Sequence, residues 1–181
     1  MIEYRIVSED NGITFREGRS IQVLSPNFLT YGGWMDHAVF QVSTNHRPEA
    51  GQANGRSAEA GGDLTGSSPA ADATWRGAMV GTVATGARAI LQGDAELVYS
   101  LEDSQLDATF SNIENRDNNN RPHSVETIRF TDVPVDAGGT YEDRQSADDY
   151  IQGFFAGPNQ AETVGVFEKE NIVGAFGARK Q

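Results

Sequence analysis

Hydrophobic and polar residues alternate with a period of two over most of the chain after Ala73. Trp75, Gly77, Met79, Gly81 and Val83 alternate with Arg76, Ala78, Val80 and Thr82, and Ala95, Leu97 and Tyr99 alternate with Asp94, Glu96 and Ser100 around Val98. Leu106, Ala108 and Phe110 repeat the pattern against Asp107, Thr109 and Ser111, as do Ile128 and Phe130 against Thr127, Arg129 and Thr131. A strand with this spacing has one dry face and one wet face. Further runs at 138–141, 150–156, 163–167 and 172–178 bring the count after Ala73 to about eight, the number that closes into a barrel filled by its own side chains. The expectation is therefore an all-β fold with an eight-stranded antiparallel barrel over residues 73–181. The segment Ser146 to Tyr150 reads equally as a capped helical turn or as an acidic loop.

Upstream, short β-type runs at Tyr4 to Val7, Ser20 to Leu24, Phe28 to Trp34 and Ala38 to Val42 are separated by turn residues such as Asp10-Asn11-Gly12 and Ser25-Pro26-Asn27. Residues 1–44 are expected to form a small N-terminal β lobe. Residues 45–72 are nearly free of large apolar side chains and rich in Gly, Ala, Ser and Pro, a composition that buries too little surface to offset the entropy of ordering. They are expected to be a flexible linker or long loop.

Composition narrows the functional classes. The chain of 181 residues carries 26 acidic against 14 basic residues, a formal charge of -12, which repels phosphate backbones and anionic lipid headgroups. Nucleic acid is excluded as an expected partner. No stretch approaches the roughly 20 apolar residues of a transmembrane helix, and the start MIEYRIVSED is too polar for the apolar core of a signal peptide. A soluble chain without a signal peptide is expected. The absence of cysteine removes disulfides, thiolate metal sites and cysteine nucleophiles.

Residues 151–167, Ile-Gln-Gly-Phe-Phe-Ala-Gly-Pro-Asn-Gln-Ala-Glu-Thr-Val-Gly-Val-Phe, followed by Gly174-Ala-Phe-Gly-Ala178, resemble the closing hairpins of the transferrin-binding protein B family and its solute-binding relatives. The residues that carry this likeness are Gly153, Phe154, Phe155, Gly157, Pro158, Glu162, Gly165, Phe167, Gly174, Phe176 and Gly177. Thr30-Tyr-Gly-Gly-Trp-Met35 and Ala73-Thr-Trp-Arg-Gly77 are similar to two further segments of that family. Ala156, Val166 and Trp75 depart from its usual residues. The resemblance implies a bacterial binding protein of the cell surface, outer membrane or extracellular space, concerned with iron or haem acquisition.

Read without the resemblance, Gly153-Phe-Phe-Ala-Gly-Pro158 is a strand ending at a sharp corner: glycine permits the bend, the tandem rings take opposite faces, and proline ends ladder donation. Glu162 is expected to accept backbone N–H bonds beside that corner and so pin the strand that follows.

No G-x-S-x-G, H-E-x-x-H or Walker loop occurs, so no catalytic residue, metal site or cofactor is expected. Residues 114–120, rich in Asn and Asp, lack calcium-loop spacing and read as a hairpin turn. Tyr31, Trp34, Met35 and His37 are the candidate ligand contacts, because they place aromatic, thioether and imidazole groups together in the small sheet. The expected function is binding of a protein or nutrient ligand through loops and edges. The alternative is a lipocalin-like carrier with an apolar ligand inside the barrel.

Overall fold

The computed structural model describes the backbone of residues 4–9, 12–17, 21–24, 28–45, 56–85 and 89–181, and the side chains of 32–43, 58–85 and 89–181. The protein is all-β. Strands β1 (Tyr4–Glu9) and β2 (Gly12–Glu17) form an antiparallel hairpin. A four-stranded antiparallel sheet follows in the order β3 (Ile21–Leu24), β4 (Phe28–Trp34), β5 (Ala38–Asn45) and β6 (Arg56–Gly62).

The expected linker is thus partly a strand. Residues 56–62 pair with β5 from Ala38↔Gly62 to Thr44↔Arg56, because a sheet edge supplies the hydrogen bonds that small side chains do not replace by burial. Residues 46–55 lie outside the described part.

The larger sheet contains β7 (Ala73–Val83), β8 (Ile90–Ser100), β9 (Gln105–Asn115), β10 (Arg121–Pro122), β11 (Thr127–Pro134), β12 (Thr140–Arg144), β13 (Tyr150–Ala156), β14 (Glu162–Lys169) and β15 (Ile172–Lys180). Its ladder runs β11-β9-β8-β7-β15-β14-β13-β12, with β10 also on β9. All pairs are antiparallel.

The eight strands that the periodicity predicts are present, but the barrel does not close. Between the two edges, β11 and β12, the bridge is the single pair Val135↔Tyr141. A break of register between Phe130 and Val133, with Asp132 at φ 58°, turns β11 away, and β12 is only five residues long. A bulge disrupts the local ladder and bends the strand that carries it.

The inner face of this rolled sheet is dry. Trp75, Met79, Tyr99, Phe110, Tyr141, Phe155, Phe167 and Phe176 are all buried there. Phe110 stacks on Phe167 at 4.4 Å between centroids and lies 5.0 Å from Phe176, while Phe155 lies 4.8 Å from Trp75 and 5.6 Å from Tyr141. Rings this large leave no room for a Cβ at some facing positions: one added to Gly174 would meet the Phe167 ring at 2.3 Å. The Tyr141 hydroxyl, sealed in this core, shares a 2.7 Å hydrogen bond with Thr163 Oγ1. Burial pushes its ionisation above the usual range.

A second apolar cluster lies on the outer face, where Met35, Ala38 and Phe40 of the small sheet pack on Ala156, Val164 and Ala175, with Phe154 and Val166 at its margin. The tandem rings therefore part as the period of two requires: Phe155 inside, Phe154 half-buried under the small sheet. Phe154 and Phe176 lie on β13 and β15 with β14 between them. The Ser146 to Tyr150 segment is a bend in which Asp148 N donates to Ser146 Oγ, and β13 begins at Tyr150.

Candidate functional site

The sequence motif at residues 153–162 folds into the joint between the two sheets. Gly157 has φ 73°, a backbone state glycine reaches without steric cost. A Cβ there would meet the His37 ring at 2.4 Å, so the imidazole lies directly against the corner's backbone. Pro158–Gln160 continues as a single tight turn in which Asn159 and Gln160 also take positive φ. Main-chain strain of this kind persists where surrounding bonds over-determine it. Here the bonds are Trp75 Nε1 to Gln160 O at 2.8 Å, Lys180 Nζ to Asn159 O at 3.2 Å, and Gln160 Nε2 to Ser67 Oγ at 3.1 Å.

Glu162, 2% exposed, points from β14 into the tip of the β4–β5 hairpin. Its two carboxylate oxygens accept the N–H groups of Asp36 and His37, each at 2.9 Å. Arg179 lies between, with Nη2 3.1 Å from Asp36 and Nε 3.6 Å from Glu162. A buried carboxylate with two backbone donors and a cation beside it is a fastener. What it fastens is the hairpin of the other sheet, 125 residues away, rather than the strand that follows it.

Residues 63–72 form a strap across one end of the rolled sheet. Asp63 N donates to His37 O at 2.8 Å, Gly157 N to Asp63 O at 2.9 Å, and Thr65 N to Phe155 O at 2.9 Å. Leu64 bridges to Ala156. Farther along, Ser68 N reaches Ala137 O at 3.3 Å, Pro69 is buried, and Leu101 N donates to Asp72 Oδ1 at 2.9 Å. The strap thereby touches the β13–β14, β11–β12 and β8–β9 connections in turn.

A cleft of about 550 Å³ opens where strap, hairpin tip and corner meet, lined by His37, Asp63, Leu64, Thr65, Ser67 and residues 157–160. His37 Nδ1 lies 3.8 Å from Asp63 Oδ2, with side-chain exposures of 34% and 85%.

The candidate contacts separate. His37 faces this cleft, whereas Met35 is 1% exposed and packs between the sheets. Trp34 is half-buried at the end of β4. Tyr31 lies on β4 opposite Val42, and its side chain lies outside the described residues. The aromatic motif residues Phe155, Phe167 and Phe176 are core. Among the described residues, no cluster of three or more His, Asp or Glu is arranged to hold a metal, and no helix is long and apolar enough to cross a membrane.

Reasoning from the sequence missed the strap and its cleft residues. A signal was present in Asp63, Thr65, Ser67, Ser68 and Asp72, short polar side chains of a kind that bonds to nearby backbone.

No family model and no curated protein matches the sequence. Solved structures do match in fold. Intact Ap-TbpB (N and C lobes) aligns over 99% of this chain and 38% of that one, with a TM-score of 0.62 and 14% identity. The apo haemoglobin receptor HpuA from Kingella denitrificans aligns over 81% of this chain and 55% of that one, with a TM-score of 0.54 and 14% identity. The chain thus spans well under two thirds of either structure. Small sheet and rolled sheet together have the fold of a transferrin-binding protein B lobe.

Proposed function

We propose that this protein is a non-enzymatic bacterial binding protein of the cell surface or extracellular space that engages a protein or an iron- or haem-type nutrient through its loops and edges. The observation that carries the reading is the filled interior. Trp75, Tyr99, Phe110, Phe155, Phe167 and Phe176 are each at most 1% exposed and interlock across the roll, so a ligand has to be held from outside. That packing also argues against a lipocalin-like carrier, which needs an open apolar cavity. The shared fold with HpuA, a haemoglobin receptor, and with Ap-TbpB supports a carrier protein as the partner.

Haem alone is expected to bind weakly. His37 lies at the strap end and His123 beside β10 at the opposite end, so these two cannot supply an axial pair. His46 lies outside the described residues.

The test is titration of the immobilised chain with transferrin, haemoglobin and free haem. Saturable binding of transferrin or haemoglobin, without a stoichiometric Soret shift on adding haem, is the expected result. Failure of both proteins to bind, or displacement of either by a lipid ligand, overturns the reading.

A further inference from the structure

The two ends of the rolled sheet differ in charge and in apolar exposure. At the strap end lie residues 63–72, 101–104, 135–139 and 157–161. These connections contain Asp63, Asp72, Glu102, Asp103 and Asp136 and neither lysine nor arginine. All five acids are exposed. At the other end, the described residues of 84–89, 116–126, 145–149 and 170–171 include Asp117, Glu126, Asp148, Asp149 and Glu170 interspersed with Arg116 and Arg121.

The large hydrophobic residues exposed among the described residues all gather at or beside the strap end: Leu64 at 53%, Leu101 at 46% and Val98 at 44%. Leu64 borders the 550 Å³ cleft. Val98 borders a second cleft of about 450 Å³, where Asp72, Thr74, Ser100 and Gln181 meet, and Leu101 is tied to that cleft through its N–H bond to Asp72. The strap links the two clefts, so each has an aliphatic side chain and a carboxylate at its margin.

We propose that the strap end is a docking face for a protein partner that presents lysine or arginine side chains beside apolar ones. The inference rests on the binding function above and gives the partner's surface a chemistry. Exposed aliphatic groups in a polar rim lose water on docking. A one-signed field from five carboxylates steers a basic surface and disfavours an acidic one. The strap's main-chain bonds and the Asp72 carboxylate hold both clefts in place before the partner arrives, which lowers the ordering cost of association. Both cations at this end of β15 are already engaged, Lys180 with Asn159 O and Arg179 with Asp36 and Glu162.

Two measurements test the face. A short synthetic peptide of alternating lysine and leucine is titrated into the isotopically labelled protein while backbone amide shifts are followed. Shifts confined to His37 and residues 63–72, 101–104, 135–139 and 157–161 are expected, and shifts spread evenly or centred on 116–126 overturn the proposal. In parallel, transferrin and haemoglobin are titrated against Leu64→Ser/Leu101→Ser, Asp63→Asn/Glu102→Gln/Asp103→Asn, and the opposite-end variant Glu126→Gln/Asp148→Asn/Glu170→Gln.

The first two variants are expected to weaken binding by about tenfold or more, the second with a flatter salt dependence, and the third to stay within about twofold. Equal loss in all three variants, or loss in the third alone, overturns the docking face and leaves the binding function standing. Peptide shifts at the strap end with no binding of either protein uphold the face and reject the carrier-protein partner of the proposed function.

Discussion

The inner and outer faces of β13 to β15 bury apolar side chains by different means. Inside, whole rings interlock: Phe167 stacks on Phe110 and sits over Gly174, and Phe155 wedges between Trp75 and Tyr141. Outside, the same strands present Ala156, Val164, Ala175 and Gly177, small enough for Phe40 and Met35 of the other sheet to approach closely. The inner face has no water to fall back on, so its stability comes from volume and shape. The outer joint is dry at its centre but only partly covered at Phe154 and Val166, and its precision comes from the buried Glu162 carboxylate and the strap.

Substitutions can separate these two modes. The largest effect is expected inside: Phe155→Ala or Phe176→Ala should cost about 3–5 kcal/mol in urea unfolding through lost burial and a residual cavity. Phe154→Ala, at the half-covered outer joint, should cost only about 1 kcal/mol. Equal losses for Phe154 and Phe155 would mean that the two faces are not distinct.

Next comes the fastener. Glu162→Ala strands the N–H groups of Asp36 and His37 and should cost about 2–3 kcal/mol. Amide exchange should accelerate at those two residues while core strands such as β8 and β9 change less. Glu162→Gln keeps one acceptor oxygen and should fall between the parent and the alanine variant. Slow exchange at both amides in Glu162→Ala would show that the hairpin is held by other contacts.

Gly174→Ala and Gly177→Ala compare the faces by overpacking. Each new Cβ meets a ring, of Phe167 at 2.3 Å and of Phe40 at 2.4 Å, and a cost of about 1–3 kcal/mol is expected. Gly174→Ala should be the worse of the two, because the inner ring is locked between neighbours while Phe40 belongs to a separate sheet. Thermal melts of the two variants decide the order.

The smallest effect lies at Asp136, whose carboxylate accepts the Thr140 hydroxyl and backbone N–H at 2.6 and 3.0 Å. Those bonds hold its pKa below the ordinary 3.8. A lowered folded-state pKa gives a contribution that is present above 3.8 and is lost as pH falls through the folded value. Asp136→Asn should therefore show a shallower loss of stability than the parent between pH about 5 and about 3 in urea melts. An unchanged acid limb would exclude that turn as a source of acid sensitivity.

The period of two was enough to place the long strands after Ala73 and to fill the core with Trp75, Met79, Leu97 and Phe110, because strand geometry sends alternate side chains to opposite faces whatever the partners are. It also required Phe154 and Phe155 to part. Closure was not legible in it: one bulge near Asp132 and a five-residue β12 leave the edges joined at a single bridge, and alternation does not report how edges meet.

Residues 56–72 read as linker because composition counts apolar atoms. They are ordered by backbone hydrogen bonds to β5 and to two distant connections, and by the Asp72 carboxylate, which accepts the Leu101 N–H of a third. The sequence also marked Glu162 as an acceptor of backbone N–H groups. Its donors, Asp36 and His37, are chosen by the packing of one sheet on another, a contact between residues 125 apart that no local pattern encodes. His37 was picked out for its chemistry, but only the fold set it against Gly157, beside a strap that composition had dismissed.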